Sequence, residues 1–150
     1  MEPTLNQKSA PIIGVWKLIS FETQRENSEV TYPFGKNAQG SLIYTKSGRF
    51  SVQLMRPDRP QFASGDQIRG TAEEIKANYE GVISYYGHYE FDRKKGFVIH
   101  HVEDSLFPNW EGQGLKRFFE LSGNRLKLST PPTLWGGGVS VAVLLFERIE

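Results

Sequence analysis

The chain has 150 residues, with 18 Lys and Arg against 17 Asp and Glu, a formal net charge of +1 and no cysteine. Balanced charge leaves no electrostatic footprint for nucleic acid or an anionic membrane surface, and the missing thiols exclude disulfides and cysteine-ligated metal sites. The length suits one domain burying about 70% of its unfolded surface. Aromatic residues, 13% of the chain, suit a packed β core or a pocket with aromatic walls.

Residues 1–11, "MEPTLNQKSAP", are polar, end in proline and read as a flexible tail ahead of a domain over 12–150. They lack the basic-then-apolar pattern of a secretion signal, and nowhere does the chain reach the roughly 20 apolar residues of a spanning helix. A cytoplasmic protein without membrane contact is expected. "GVWKLISFE" follows as a strand, with Trp16, Leu18 and Ser20 on one face and Lys17, Ile19 and Phe21 on the other. "VTYPF" reads as a short return strand ending at Pro33.

Three hairpins come next. "GSLIYT" and "RFSVQLM" flank "KSG"; "YYGHYEF" and "FVIHHVED" flank "DRKKG"; "LKRFFEL" and "RLKLS" flank "SGN". "VSVAVLLFERI" closes the chain as a long apolar strand. Between the first two hairpins, "RPDRPQFASGDQIRG" is a solvated loop and "TAEEIKANYEG" a short helix over about 71–81. Thr71 and Glu74 make a capping box, and Ala72, Ile75, Tyr79 and Val82 an apolar stripe. That helix is either a lid or a plug for one end. "WGGGV" at 135–139 reads as flexible and lacks the context of a phosphate loop. The pattern predicts an all-β fold: one antiparallel up-and-down β-barrel of about 8–10 strands with one helix, closed because closure removes unpaired edges.

The run from "GVWKLIS" through "GSLIYTKSGRFSVQLMRPDRPQFAS", "YYGHYEFD" and "VIHHVEDSLFPNWEGQGLKRFFELSGNRLKLSTPP" resembles the bacterial and fungal lipocalin-like domain family over about residues 14–149. The resemblance implies a small barrel with a central cavity and leaves the activity open. It also implies that the G-x-W tryptophan, Trp16, closes the barrel base under an arginine near the last strand, a role that falls on Arg148.

Alternation then sorts the candidates. Leu115, Arg117, Phe119 and Leu121 share an apolar face that carries Arg117 inward; Tyr85, Gly87, Tyr89 and Phe91 share another. His100 and His101 must point to opposite sides. Val98 and Val102 share the face of His100, Phe97 and Ile99 that of His101, so parity alone does not choose, and of the two we place His100 inward with the valines. With His88 outward, the histidines cannot converge on one ion, so no metal is expected. An inward guanidinium cannot shed its proton and demands an anionic or strongly polar partner. That partner is a ligand carboxylate, phosphate or enolate-like oxygen, or else an inward acid or the ring of Trp16. Trp110, in "SLFPNWEGQG", sits at a barrel end.

The expected ligand-binding residues are therefore Arg117, His100, Tyr85, Tyr89, Phe119 and Trp110, for a small apolar or amphipathic molecule with one polar or anionic end. Two alternatives stand beside that binding role. One is an isomerase or cyclase in which His100, Tyr85, Tyr89 and Arg117 supply proton transfer and oxyanion stabilisation. The other is a filled barrel acting through its surface. No nucleophile elbow, H-E-x-x-H or dinucleotide fingerprint appears, and no cofactor is expected. Outward aromatics Phe21 and Phe118 would let two barrels pair.

Overall fold

Buried and exposed side chains alternate along the long strands of the chain, and that alternation closes into a barrel. The computed structural model describes residues 10–150; the flexible tail expected for residues 1–9 lies outside the described residues. Ala10 and Pro11, read as the end of that tail, are packed: Ala10 is buried, and the Pro11 carbonyl accepts a hydrogen bond from Arg148.

The strands are β1 (Gly14–Arg25), β2 (Gln39–Tyr44), β3 (Arg49–Met55), β4 (Val82–Asp92), β5 (Phe97–Ser105), β6 (Gly114–Ser122), β7 (Arg125–Ser129), β8 (Thr133–Trp135) and β9 (Gly138–Arg148). A helix α1 (Ala72–Glu80) lies between β3 and β4, and a 3-10 turn (Pro108–Trp110) between β5 and β6. Neighbours pair antiparallel from β1 to β7, β7 pairs with β9, and β9 closes on β1. β8 takes the edge of β9 that β7 leaves free, facing Gly138–Ser140 while β7 faces Val143–Glu147. The result is an eight-stranded closed barrel in which β7 and β8 share one wall position. Pro131 and Pro132 interrupt that wall because proline offers the ladder no N–H.

All three expected hairpins form. "WGGGV" is not a loose loop. Gly136 and Gly137 have φ of 62° and 85°, the two positive values of a tight turn joining β8 to β9. "VTYPF" makes no strand, only an isolated bridge from Thr31 to Thr23.

A second correction concerns Phe21. The β1–β9 register slips between Leu18 and Ser20, so one extra residue enters β1 and the alternation inverts beyond it. Phe21 therefore turns inward to 2% exposure and packs edge-on against Phe34, with ring centroids 5.1 Å apart. It offers nothing to a second barrel, whereas Phe118 does face out at 42% exposure.

The base is solid. Trp16 is fully buried and its indole N–H donates to the Ile12 carbonyl at 2.8 Å. Arg148 lies over the indole, 4.3 Å from the ring centroid, and donates to the Ile13 carbonyl at 2.6 Å and to that of Pro11. Gly14, at φ 142°, permits this approach, because a Cβ there would collide with Arg148 and the Glu150 carbonyl.

Helix α1 has the expected capping box: Glu74 N–H donates to the Thr71 hydroxyl, and Thr71 N–H to the Glu74 carboxylate. It buries no residue. Its ties are Arg59 to Asn78 at 2.6 Å and Ala63 N–H to Glu74 at 3.0 Å. A plug would bury its apolar stripe, so α1 is not one. No helix among the described residues is long and apolar enough to cross a membrane.

Candidate functional site

The end opposite Trp16, where β1 finishes and β4 starts, is not filled. A chamber of about 70 Å³ remains there, walled by Phe21, Leu42, Val52, Leu54, Leu144 and Phe146 and reached by Tyr85, His100, Trp110 and Arg117. Outside it, a vestibule of about 510 Å³ is bordered by Phe34, Arg56, Tyr79, Glu80, Leu106, Phe107 and Leu134. Ile83, Trp110 and Trp135 border both spaces. No Asp or Glu lines the inner chamber.

Strand geometry sets each polar group. Val98, His100 and Val102 alternate inward on β5, and His100 has no exposed surface. His101 is on the far side of the wall, stacked on His88 with ring centroids 4.7 Å apart. The barrel wall thus separates His100 from the other two histidines. The β4–β5 register slips between Tyr86 and Gly87, with Glu103 as the extra residue on β5, while β4 keeps its alternation and so holds Tyr85 on the inner face with Tyr89. Any Cβ on Gly87 would strike the His101 carbonyl.

His100 is hydrogen-bonded at both ring nitrogens. Nε2 lies 2.6 Å from the Tyr44 hydroxyl and Nδ1 3.1 Å from that of Tyr85. Phe50 stacks on the imidazole at 4.3 Å, and Trp110 meets Tyr85 edge-on at 5.2 Å. Burial, with Arg117 and then His101 adding to it, holds the His100 pKa well below the ordinary imidazole value, so the ring is neutral. Burial, reinforced by Tyr85, likewise lifts the Tyr44 pKa well above the ordinary phenol value.

Arg117 comes from β6. The register Val98–Arg117 and His100–Leu115 makes it the diagonal neighbour of His100 on the inner face. Its Nη1 donates to the Lys116 carbonyl at 3.1 Å, and no carboxylate pairs with it among the described residues. Trp16 is already covered by Arg148, so neither intramolecular partner considered for Arg117 is used.

Of the six residues singled out in the sequence, Arg117, His100, Tyr85 and Trp110 reach the chamber, and Tyr89 and Phe119 do not line it. The Tyr89 hydroxyl donates to the Thr45 carbonyl at 2.8 Å, and burial pushes its pKa up to about 12. Phe119 packs on Phe91 at 4.7 Å. Sequence reasoning missed Tyr44, although its shared parity with Leu42 marks it as inward. It also missed the mouth residues Trp135 and Ile83, which no local pattern distinguishes.

A closed antiparallel barrel, a G-x-W base under arginine and a chamber at the other end define a lipocalin-like protein. Residues 13–149 match the family model described as the lipocalin-like domain, and the chain belongs to that family. It is also similar to the 4'-hydroxy-3'-methoxypropiophenone carrier protein ppsC of Aspergillus oryzae (strain ATCC 42149 / RIB 40). The two are 33% identical over 104 residues, covering 65% of this chain and 94% of the relative. No solved structure matches.

Proposed function

We propose that the protein binds and carries a small, mainly apolar molecule whose polar or anionic end meets Arg117 and His100 inside the barrel. One observation carries this reading: an apolar chamber receives a guanidinium and no carboxylate. A cation without an anion beside a cavity leaves a place for the ligand's charge or dipole. The relative's name, a carrier for an aryl ketone, supports the same class of cargo. At about 70 Å³ the chamber takes only the head of such a molecule, and the vestibule of about 510 Å³ takes the remainder.

An isomerase would draw on the same Tyr85–His100–Tyr44 chain. That chain ends at Tyr44, which is buried and does not line the chamber. Binding is the better use of these groups.

The test is a fluorescence titration with an anionic and a neutral naphthalene probe, on wild type and Arg117→Leu. Losing a charge-assisted hydrogen bond should weaken the anionic probe by about 10- to 100-fold and leave the neutral one within about twofold. Equal affinity of the mutant and wild type for the anion would remove Arg117 from the site.

A further inference from the structure

The hydrogen-bond chain at His100 carries information about proton positions. Tyr44 is buried, and among the described residues its hydroxyl has one hydrogen-bond partner, His100 Nε2 at 2.6 Å. If Nε2 carried the ring proton, it would donate to the Tyr44 oxygen, and the Tyr44 proton would have no acceptor in a dry interior. A buried donor left unsatisfied is costly, whereas an O–H given to the Nε2 lone pair satisfies both groups. A neutral imidazole has one N–H, which then belongs to Nδ1. Nδ1 faces the Tyr85 oxygen at 3.1 Å, so it donates there. Tyr85 is left with a hydroxyl proton of its own, and Tyr85 lines the chamber.

We infer that His100 is held as the Nδ1–H tautomer, and that Tyr85 consequently points a hydroxyl donor into the chamber beside Arg117. The ligand end seated there is then an oxygen that accepts hydrogen bonds, a ketone carbonyl or a carboxylate on an aromatic skeleton. This deepens the binding function proposed above and rests on it for the ligand class alone; the tautomer is a property of the empty protein. Tyr44 is a positioning residue here. It does not line the chamber and acts through His100 on the hydrogen that Tyr85 offers. In the opposite tautomer Nδ1 would accept a hydrogen bond from the Tyr85 hydroxyl, and the chamber would be left without that donor.

Two measurements test this. The first is long-range proton–nitrogen correlation NMR on the histidine rings of the ligand-free protein, with His100 assigned by its loss in His100→Gln. The expected pattern is a protonated Nδ1 and an unprotonated Nε2, with both tautomers appearing in Tyr44→Phe. A protonated Nε2 in wild type overturns the inference, and an unchanged single tautomer in Tyr44→Phe removes Tyr44 as the anchor.

The second compares acetophenone, ethylbenzene and benzoate, each followed by quenching of tryptophan emission, since Trp110 and Trp135 flank the chamber. Wild type should prefer acetophenone to ethylbenzene by about tenfold, the value of one hydrogen bond made in a dry site. Tyr85→Phe should abolish that preference, and Arg117→Leu should weaken benzoate far more than acetophenone. A preference that survives in Tyr85→Phe overturns the role of Tyr85. If no probe binds, the ligand class and the binding function fall together, while the NMR result decides the tautomer separately.

Discussion

At His100 the interior decides the charge of a residue that water would leave free to titrate near neutrality. Its pKa in the folded protein is depressed, so the unfolded chain binds the proton more readily, and folding stability must rise with pH across the window between the two values. Stability is therefore complete above the ordinary imidazole value near 6.5 and declines as pH falls below it. The single-proton limit of that decline is about 1.4 kcal/mol per pH unit. Denaturant melts from pH 7.5 to 5.5 should show this slope in wild type and a flatter one in His100→Gln. Parallel curves would mean that His100 is not the group responsible. His88 pulls in the same direction, chiefly through burial and the neighbouring His101, but it is present in both proteins. The inward placement of Arg117 was legible because Leu115, Phe119 and Leu121 surround it with apolar residues of the same parity. Its lack of an acid partner was not legible, because that depends on the other strands of the barrel.

Among the elements, α1 shows how far a local signal reaches. The capping box is written in Thr71 and Glu74, and both hydrogen bonds form. The apolar stripe of Ile75 and Tyr79, in contrast, meets no core, and these residues remain 49% and 46% exposed. Thr71→Ala should thus cost about 1 kcal/mol of local helix stability. Hydrogen exchange should report that loss over Ala72–Glu80, with the global unfolding midpoint unchanged. A fall in the midpoint would show that the helix supports the barrel after all. Hairpins were readable for a related reason, since their glycines and polar turns are local devices. The inversion at Phe21 was not, because the extra residue in β1 is defined only against β9, over a hundred positions away.

At the scale of the whole molecule, closure is concentrated at one end and vacancy at the other. Arg148 joins the last strand to the first through Trp16, Ile13 and Pro11. Arg148→Ala removes charge-assisted hydrogen bonds and a cation–π contact together, an expected loss of about 3 kcal/mol. For a chain of this size that lowers the melting temperature by roughly 10 °C. Arg148→Lys should recover little, since an ammonium cannot stack and fork as the guanidinium does. Probe affinity at the opposite end should stay within about twofold under conditions where the variant is folded. A large loss of binding would mean that base and chamber are coupled.

By itself the sequence determined the barrel, its hairpins and the inward parity of Tyr85 and Arg117, because strand alternation and turn chemistry act over a few residues. The Trp16–Arg148 base came from the family resemblance, and parity alone did not choose between His100 and His101. Only the tertiary structure decided that Phe21 points in, that β7 and β8 form one wall, and that Tyr44 and Tyr85 grip the two nitrogens of His100. It also decided that a chamber remains at one end. Each of these depends on register between distant strands, and a slip of one residue exchanges the inside of a barrel for its outside.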